Sequence, residues 1–257
     1  MINCKLLFEK LENFAPVSLS DKLCEIDGHY DNSGIILDAN NETDKILFCL
    51  DLTNKSVEYA IENGCGIIVT HHPAIYRPIK NLVGENPVLK CALNGISVIS
   101  MHLNFDSANM GIDQCLSLGL GGYNAKILTA LGEGVGYGRV AKISSTAREI
   151  VENYKKVFNT QKVLFYGDEN KPVKKIASFC GSGFGDKEVG VCLAEGVDMV
   201  VSADIPHHVL IPAIESGLAV LSCTHYSTEN YGMKKIAEEF SKRLNEKIYF
   251  FDDERFV

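Results

Sequence analysis

Residues 45–73, KILFCLDLTNKSVEYAIENGCGIIVTHHP, have a counterpart in 175–208, KIASFCGSGFGDKEVGVCLAEGVDMVVSADIPHH. Each segment runs from an apolar strand through a polar turn into a helix closed by a glycine, Gly64 or Gly196. A second apolar strand follows in each and ends in histidines. The correspondence continues from NGISVISMHLNFDSANMGI (94–112) to SGLAVLSCTHYSTENYGMKKI (216–236), where a third strand is followed by a histidine with a carboxylate four residues further on. Any repeat of strand and helix reproduces apolar positions. Here the histidines and carboxylates recur as well, which points to two related halves descended from a duplication.

The apolar runs predict strands at 46–51, 66–70, 96–101, 176–180, 197–202 and 218–223. Helices are expected between them at 53–63, 86–94, 187–195 and 207–216. Strands alternating with helices of this length build βαβ units around a largely parallel sheet. Near-continuous apolar strands are those covered on both faces. The organisation expected is a first α/β half over 1–127, a second over 128–215, and a C-terminal segment, 216–257, that returns to complete the site. Residues 128–174 are taken as the connection, with the glycine-rich LGEGVGYGRVAKI marking the crossing.

Composition removes several function classes. A formal charge of −8 opposes a protein that grips nucleic acid through its phosphates, so no nucleic-acid partner is expected. No stretch approaches the roughly 18 apolar residues of a membrane span. The N-terminus MINCKLLFEKLENFAP is charged and amphipathic, unlike a signal peptide. A cytoplasmic protein without membrane contact is the expectation. The nine cysteines are dispersed, odd in number and without a C-x-x-C pair, which suits small core residues in a reducing compartment.

The chemistry gathers at the predicted carboxyl ends of strands, where open parallel sheets bind ligands. His71 and His72 follow one strand, and His102, Asn104 and Asp106 the next. Asp204, His207 and His208 follow a third, and His225 and Glu229 a fourth. Six of the seven histidines fall at these four places, with His29 elsewhere. Imidazole nitrogens with carboxylate oxygens suit Zn, Fe, Mn or Ni. Their number exceeds what one catalytic ion needs and suits two ions bridged by a carboxylate and a water. Side chains on a strand alternate faces, so adjacent His71 and His72 can share a pocket only where the strand turns, at Pro73. Each residue also has a structural reading: Asp106 and Glu229 can cap helices starting near Asn109 and Tyr231. Asp51 and Asp204 read as partners that orient imidazoles. The loop GSGFG (181–185) fits either an anion cradle or a tight turn.

The stretches YDNSGI (30–35), THHP (70–73), MHLNFD (101–106), GSGFG (181–185), SADIPHH (202–208) and THYSTE (224–229) resemble the GTP cyclohydrolase I type 2 homologue family, the NGG-one-interacting-factor-three-like, dinuclear metal-binding proteins. The resemblance implies a three-layer α/β/α fold of two related, intertwined repeats with largely parallel sheets, assembled as a toroidal homohexamer. It implies two divalent metal ions per subunit on His71, His72, Asp106, His225 and Glu229. His102 and His208 would line the site, and both suit proton transfer, since imidazole titrates near working pH. SAD at 202–204 stands where relatives often have TGD, and the chain is too short for the inserted domain of many relatives. The function expected is a metal-dependent hydrolase opening a nucleotide-like heterocycle such as GTP. The alternative is a non-catalytic metal-handling or scaffold protein.

Overall fold

In a computed structural model that describes residues 1–28 and 30–257, the chain divides into two units, Met1–Gly111 with Met233–Asp253 and Ile112–Gly232 with Glu254–Val257. The first unit opens with β1 (Ile2–Asn3), α1 (Cys4–Phe14) and α2 (Ser18–Asp27). It continues through β2 (Gly34–Leu37), β3 (Glu42–Thr43), β4 (Lys45–Cys49), α3 (Asn54–Asn63), β5 (Ile67–Thr70), α4 (Pro87–Leu93), β6 (Ser97–Ser100) and the short α5 (Leu103–Ser107). The second unit runs through α6 (Ile112–Gly119), β7 (Tyr123–Gly132), β8 (Val135–Thr146), α7 (Ala147–Val157), β9 (Leu164–Tyr166) and β10 (Pro172–Ser178). After these come α8 (Asp186–Ala194), β11 (Met199–Ala203), α9 (His207–Glu215) and β12 (Ala219–Cys223). Helix α10 (His225–Arg243) starts in the second unit and ends in the first, where β13 (Lys247–Phe251) follows.

The fold is α/β. In the first unit a five-stranded sheet has the order β13-β4-β5-β6-β2. Its first four strands are parallel, and β2 closes the edge antiparallel to β6. The second unit holds a six-stranded sheet of order β7-β8-β10-β11-β12-β9. There β10, β11 and β12 are parallel, while β8 and β9 flank them antiparallel. Both units therefore contain three parallel strands joined by two helices, α3 and α4 in one and α8 and α9 in the other.

Local chemistry accounts for the elements. Ile46, Leu47, Phe48 and Cys49, then Ile67, Ile68 and Val69, are fully withdrawn from solvent, as strands covered on both faces must be. Each such aliphatic or aromatic side chain contributes about 1.5–3 kcal/mol by leaving water. Helix α3 starts at a capping box in which Thr53 and Ser56 satisfy each other's backbone amides. It ends at Gly64, whose φ of 69° is the left-handed conformation that glycine enters without a Cβ clash. In unit one, Phe240 of α10 packs edge-on against Phe14 and lies 5.9 Å from Phe48, tying helix to sheet.

The glycine-rich LGEGVGYGRVAKI, expected to mark a crossing between halves, runs from the end of β7 through a turn at Glu133 and Gly134 into β8 of an antiparallel hairpin. Strand β7 is largely exposed and carries no continuous apolar run, so the periodicity that marks the buried strands is missing there. Among the described residues no helix is long and apolar enough to cross a membrane.

Candidate metal centre

The register of the first sheet sets the site. Cys49 of β4 lies opposite Thr70 of β5, which lies opposite Ser100 of β6. Three strands thus finish level, and Asp51, His71, His72 and His102 follow within two residues of these ends.

The two adjacent histidines share one side because the chain turns immediately after Thr70. The amides of His71 and His72 both donate to the carbonyl of Leu50, at 3.1 and 3.0 Å. Thr70 Oγ1 donates to the His72 carbonyl at 2.8 Å and lies 2.8 Å from Ser100 Oγ, which also accepts from the Ala74 amide. Buried hydroxyls on neighbouring strands therefore hold the turn. Its result is a pair of imidazole centroids 4.9 Å apart instead of two rings on opposite faces.

His102 joins them, with its ring 5.2 Å from that of His71 and 5.7 Å from that of His72. One ring nitrogen from each of the three lies within 4.8 Å of the others, a spacing suited to a shared ion. Asp106, one helical turn after His102 and 3 % exposed, places Oδ1 3.6 Å from His71 Nε2. It lies inside α5, so it is a buried acid of that helix and not the cap of a later one.

Each imidazole is oriented through its other nitrogen. His71 Nδ1 is 3.1 Å from the Met101 carbonyl, His72 Nδ1 2.7 Å from Asp51 Oδ1, and His102 Nδ1 2.7 Å from Asp31 Oδ1. Carbonyl and carboxylate oxygens only accept, so Nδ1 carries the proton in all three neutral rings and Nε2 keeps its lone pair. Asp31 is itself held, accepting from Ser33 Oγ at 2.6 Å, while Ser33 Oγ accepts the His102 amide at 2.9 Å. Burial raises the Asp31 carboxyl, but the hydrogen bonds from His102 and Ser33 outweigh it and hold the group at about 2.

The second unit repeats the device. Thr224 Oγ1 accepts the Ser227 amide at 3.2 Å and starts α10, so His225 and Glu229 stand one turn apart on one helical face. Their facing atoms, His225 Nε2 and Glu229 Oε1, are 3.0 Å apart, and Glu229 is 3 % exposed. Glu229 is thus well inside the helix and caps nothing. His225 Nδ1 lies 2.6 Å from Asp204 Oδ2, so a carboxylate again orients the ring, with Nε2 turned to Glu229.

Neutral imidazoles presenting Nε2 beside buried carboxylates form a donor set that borderline divalent ions take. The residues present fit such a metal.

From residue 2 to residue 255 the sequence matches the family described as Duf34/NIF3 (NGG1p interacting factor 3). The chain belongs to the Duf34/NIF3 family. Among its relatives, a "GTP cyclohydrolase 1 type 2 homolog" of Methanocaldococcus jannaschii is 31% identical over 98% of this chain and 100% of its own. One of the same name from Clostridium acetobutylicum is 31% identical over 89% and 85%. A crystal structure of a Staphylococcus aureus protein superposes with a TM-score of 0.85 over 100% of this chain and 99% of that one; at 23% identity it speaks for the fold.

In this Duf34/NIF3 chain the remaining sequence candidates fall elsewhere. His208, on α9, is exposed and has Asp186 Oδ2 3.9 Å from its Nε2. No group with metal-ligand spacing among the described residues includes it. In the glycine loop the Gly181 amide is taken by Thr228 Oγ1 and the Gly185 amide by Glu188 Oε2, so neither points into an open anion cradle. Asp51 and Asp204 do orient imidazoles. Asp31, which does the same for His102, carried no assigned role in the sequence, although it lies in the YDNSGI stretch that matched the family.

Proposed function

We propose that this Duf34/NIF3 chain is a metal-dependent hydrolase of a nucleotide-like heterocycle, using two divalent ions per chain. The proposed donors are His71, His72 and Asp106 of the first unit and His225 and Glu229 of the second; the His102 imidazole lies beside those of His71 and His72. The observation that carries the reading is the set of histidine Nδ1 atoms engaged by Met101, Asp51, Asp31 and Asp204, which leaves every Nε2 as a preorganised donor. Relatives named as GTP cyclohydrolase 1 type 2 homologs support the choice of substrate class.

Bound divalent ions supply Lewis acidity and lower the pKa of water toward neutrality. The chain does the rest. Asp31, Asp51 and Asp204 keep the imidazoles in one tautomer and orientation. Burial of His71, Asp106 and Glu229 removes competing water from the donors. Where His102 is not committed to an ion, its Nε2 can take a proton while Asp31 stabilises the resulting imidazolium through Nδ1.

Elemental analysis of protein purified without added metal, beside His71→Ala and Glu229→Ala, tests the centre. About two ions per chain should fall to one or none in the variants, and unchanged content rejects the donors. Metal-replete protein that turns over neither GTP nor a nucleotide panel removes the hydrolase assignment.

A further inference from the structure

Cys180 and Gly181, next to the second unit's proposed donors, have every backbone polar atom engaged. The Cys180 amide donates to Asp113 Oδ1 on α6 at 3.4 Å, and its carbonyl accepts from the hydroxyl of Tyr137 on β8. The Gly181 amide donates to Thr228 Oγ1 on α10 at 3.0 Å. The Gly181 carbonyl accepts from the Ala203 amide at 3.0 Å and from Ser202 Oγ at 3.3 Å, both on β11. Four elements therefore hold all four backbone polar atoms of these two residues.

The grip serves a close approach. Gly181 sits at φ +54°, and a Cβ there would collide with Glu229 Oε1 and lie 3.0 Å from His225 Nε2. A side chain at this position would take the space beside the two donor atoms. Behind it stands a buried ion pair in which Arg139, 2 % exposed, donates through Nη1 to Asp113 Oδ2 at 3.0 Å and to the Gly136 carbonyl at 2.8 Å. Asp113 thus has one oxygen fixed by Arg139 and the other turned to Cys180. Nothing in the hydrolytic reading uses either residue.

We infer that Tyr137, Asp113 and Arg139 are positioning residues that act through the Cys180–Gly181 peptide to hold His225 and Glu229 in ligating geometry. The inference rests on the reading of His225 and Glu229 as metal donors. The chain of contact is continuous. Arg139 fixes Asp113, while Asp113 and Tyr137 fix the amide and the carbonyl of Cys180. Gly181 then presses its bare Cα side against the donors and, through β11, anchors the turn bearing Asp204, the partner of His225 Nδ1. Partners that orient ligands in this way commonly alter metal affinity about 10–100-fold when removed.

Two variants test it in the full chain. Gly181→Ala introduces the colliding methyl, and Tyr137→Phe removes the hydroxyl that holds the Cys180 carbonyl while keeping the ring. Divalent-ion affinity is measured by chelator competition with zinc, the centre is viewed through the cobalt absorption spectrum, and imidazole nitrogen NMR is recorded on metal-free protein. Gly181→Ala should weaken zinc binding at least tenfold and change the cobalt spectrum. Tyr137→Phe should weaken it less, with the thermal midpoint of metal-free protein unchanged. Both should shift the His225 ring signals and leave those of His71, His72 and His102 in place. Unaltered affinity and unaltered His225 signals in both variants overturn the inference while leaving the metal reading intact. Wild-type protein that binds no zinc, with His225 signals still displaced in the variants, removes the metal reading and keeps the positioning role.

Discussion

Asp51 Oδ1 lies 2.7 Å from Nδ1 of His72, and the carboxylate therefore decides which nitrogen of that ring faces the candidate centre. A carboxylate fixes the tautomer and raises the basicity of Nε2. Asp51→Ala should lower divalent-ion affinity about 10–100-fold. Because Asp51 is partly exposed, Asp51→Asn should fold normally and still lose affinity, since an amide can present its NH2 to the ring and reverse the tautomer. Isothermal titration with zinc on both variants measures this.

The turn that gathers His71 and His72 depends on Ser100 Oγ, which accepts from Ala74 and pairs with Thr70. Both hydroxyls are buried, so deleting one leaves a partner without its bond in a site that water does not reach. Ser100→Ala should cost about 1–3 kcal/mol in chemical denaturation. It should also reduce metal content, because the Ala74 amide loses its acceptor and Thr70 Oγ1, which holds the His72 carbonyl, loses its neighbour. A variant with lowered stability and full metal content would show that Thr70 and Leu50 hold the turn without Ser100.

Much of this arrangement is legible in the sequence. The parallel strands are apolar throughout, and two of their carboxyl ends carry a histidine with a carboxylate four residues on, so fold class and candidate donors follow from pattern and residue type. What periodicity does not reveal is any group whose role depends on a distant partner. Asp31 sits in an irregular loop and finds His102 across 71 residues of sequence. Ser100 and Thr70 look like ordinary strand residues until the register sets them side by side. The β7–β8 hairpin is hidden for a different reason: β7 is largely exposed, β8 buries glycines and Arg139 among its apolar residues, and neither shows the apolar run of the parallel strands.

Acid should act on the first unit through Asp31. Its folded carboxyl is held at about 2, below the ordinary 3.8. A depressed acid contributes stability above its unfolded pKa and loses that contribution as pH falls through the folded value. Wild-type metal-free protein should therefore lose stability relative to Asp31→Asn between pH 4 and pH 2, with little change in the difference between pH 5 and pH 7. Urea midpoints of the two proteins across that range measure the effect, and a constant difference would remove Asp31 from the acid response.

The core of the first unit offers a test of packing. Phe240 is 1 % exposed, with its ring 5.6 Å from Phe14 and 5.9 Å from Phe48. Truncation to alanine removes both aromatic contacts and leaves a cavity between α10 and the sheet, at a cost of about 3–5 kcal/mol. Phe240→Leu should recover part of that loss, since it refills some of the volume. Denaturant titration of the pair separates cavity from fold.

The thiols offer the last test, one of burial. Eight of the cysteines are buried and only Cys24, on α2, is half-exposed. Burial pushes Cys91, Cys192 and Cys223 up to about 12, so their reactive thiolate forms are scarce near neutral pH. Cys24 is raised too, by burial first and then by Asp31, Asp21 and Asp27, which slows its reaction without hiding it. A thiol reagent at pH 8 should therefore modify one cysteine per native chain, slowly and faster as pH rises, and all nine after denaturation. Cys24→Ser should abolish the native reaction. A second native thiol reacting at the same rate would place one of the eight at the surface and contradict the packing described for its element.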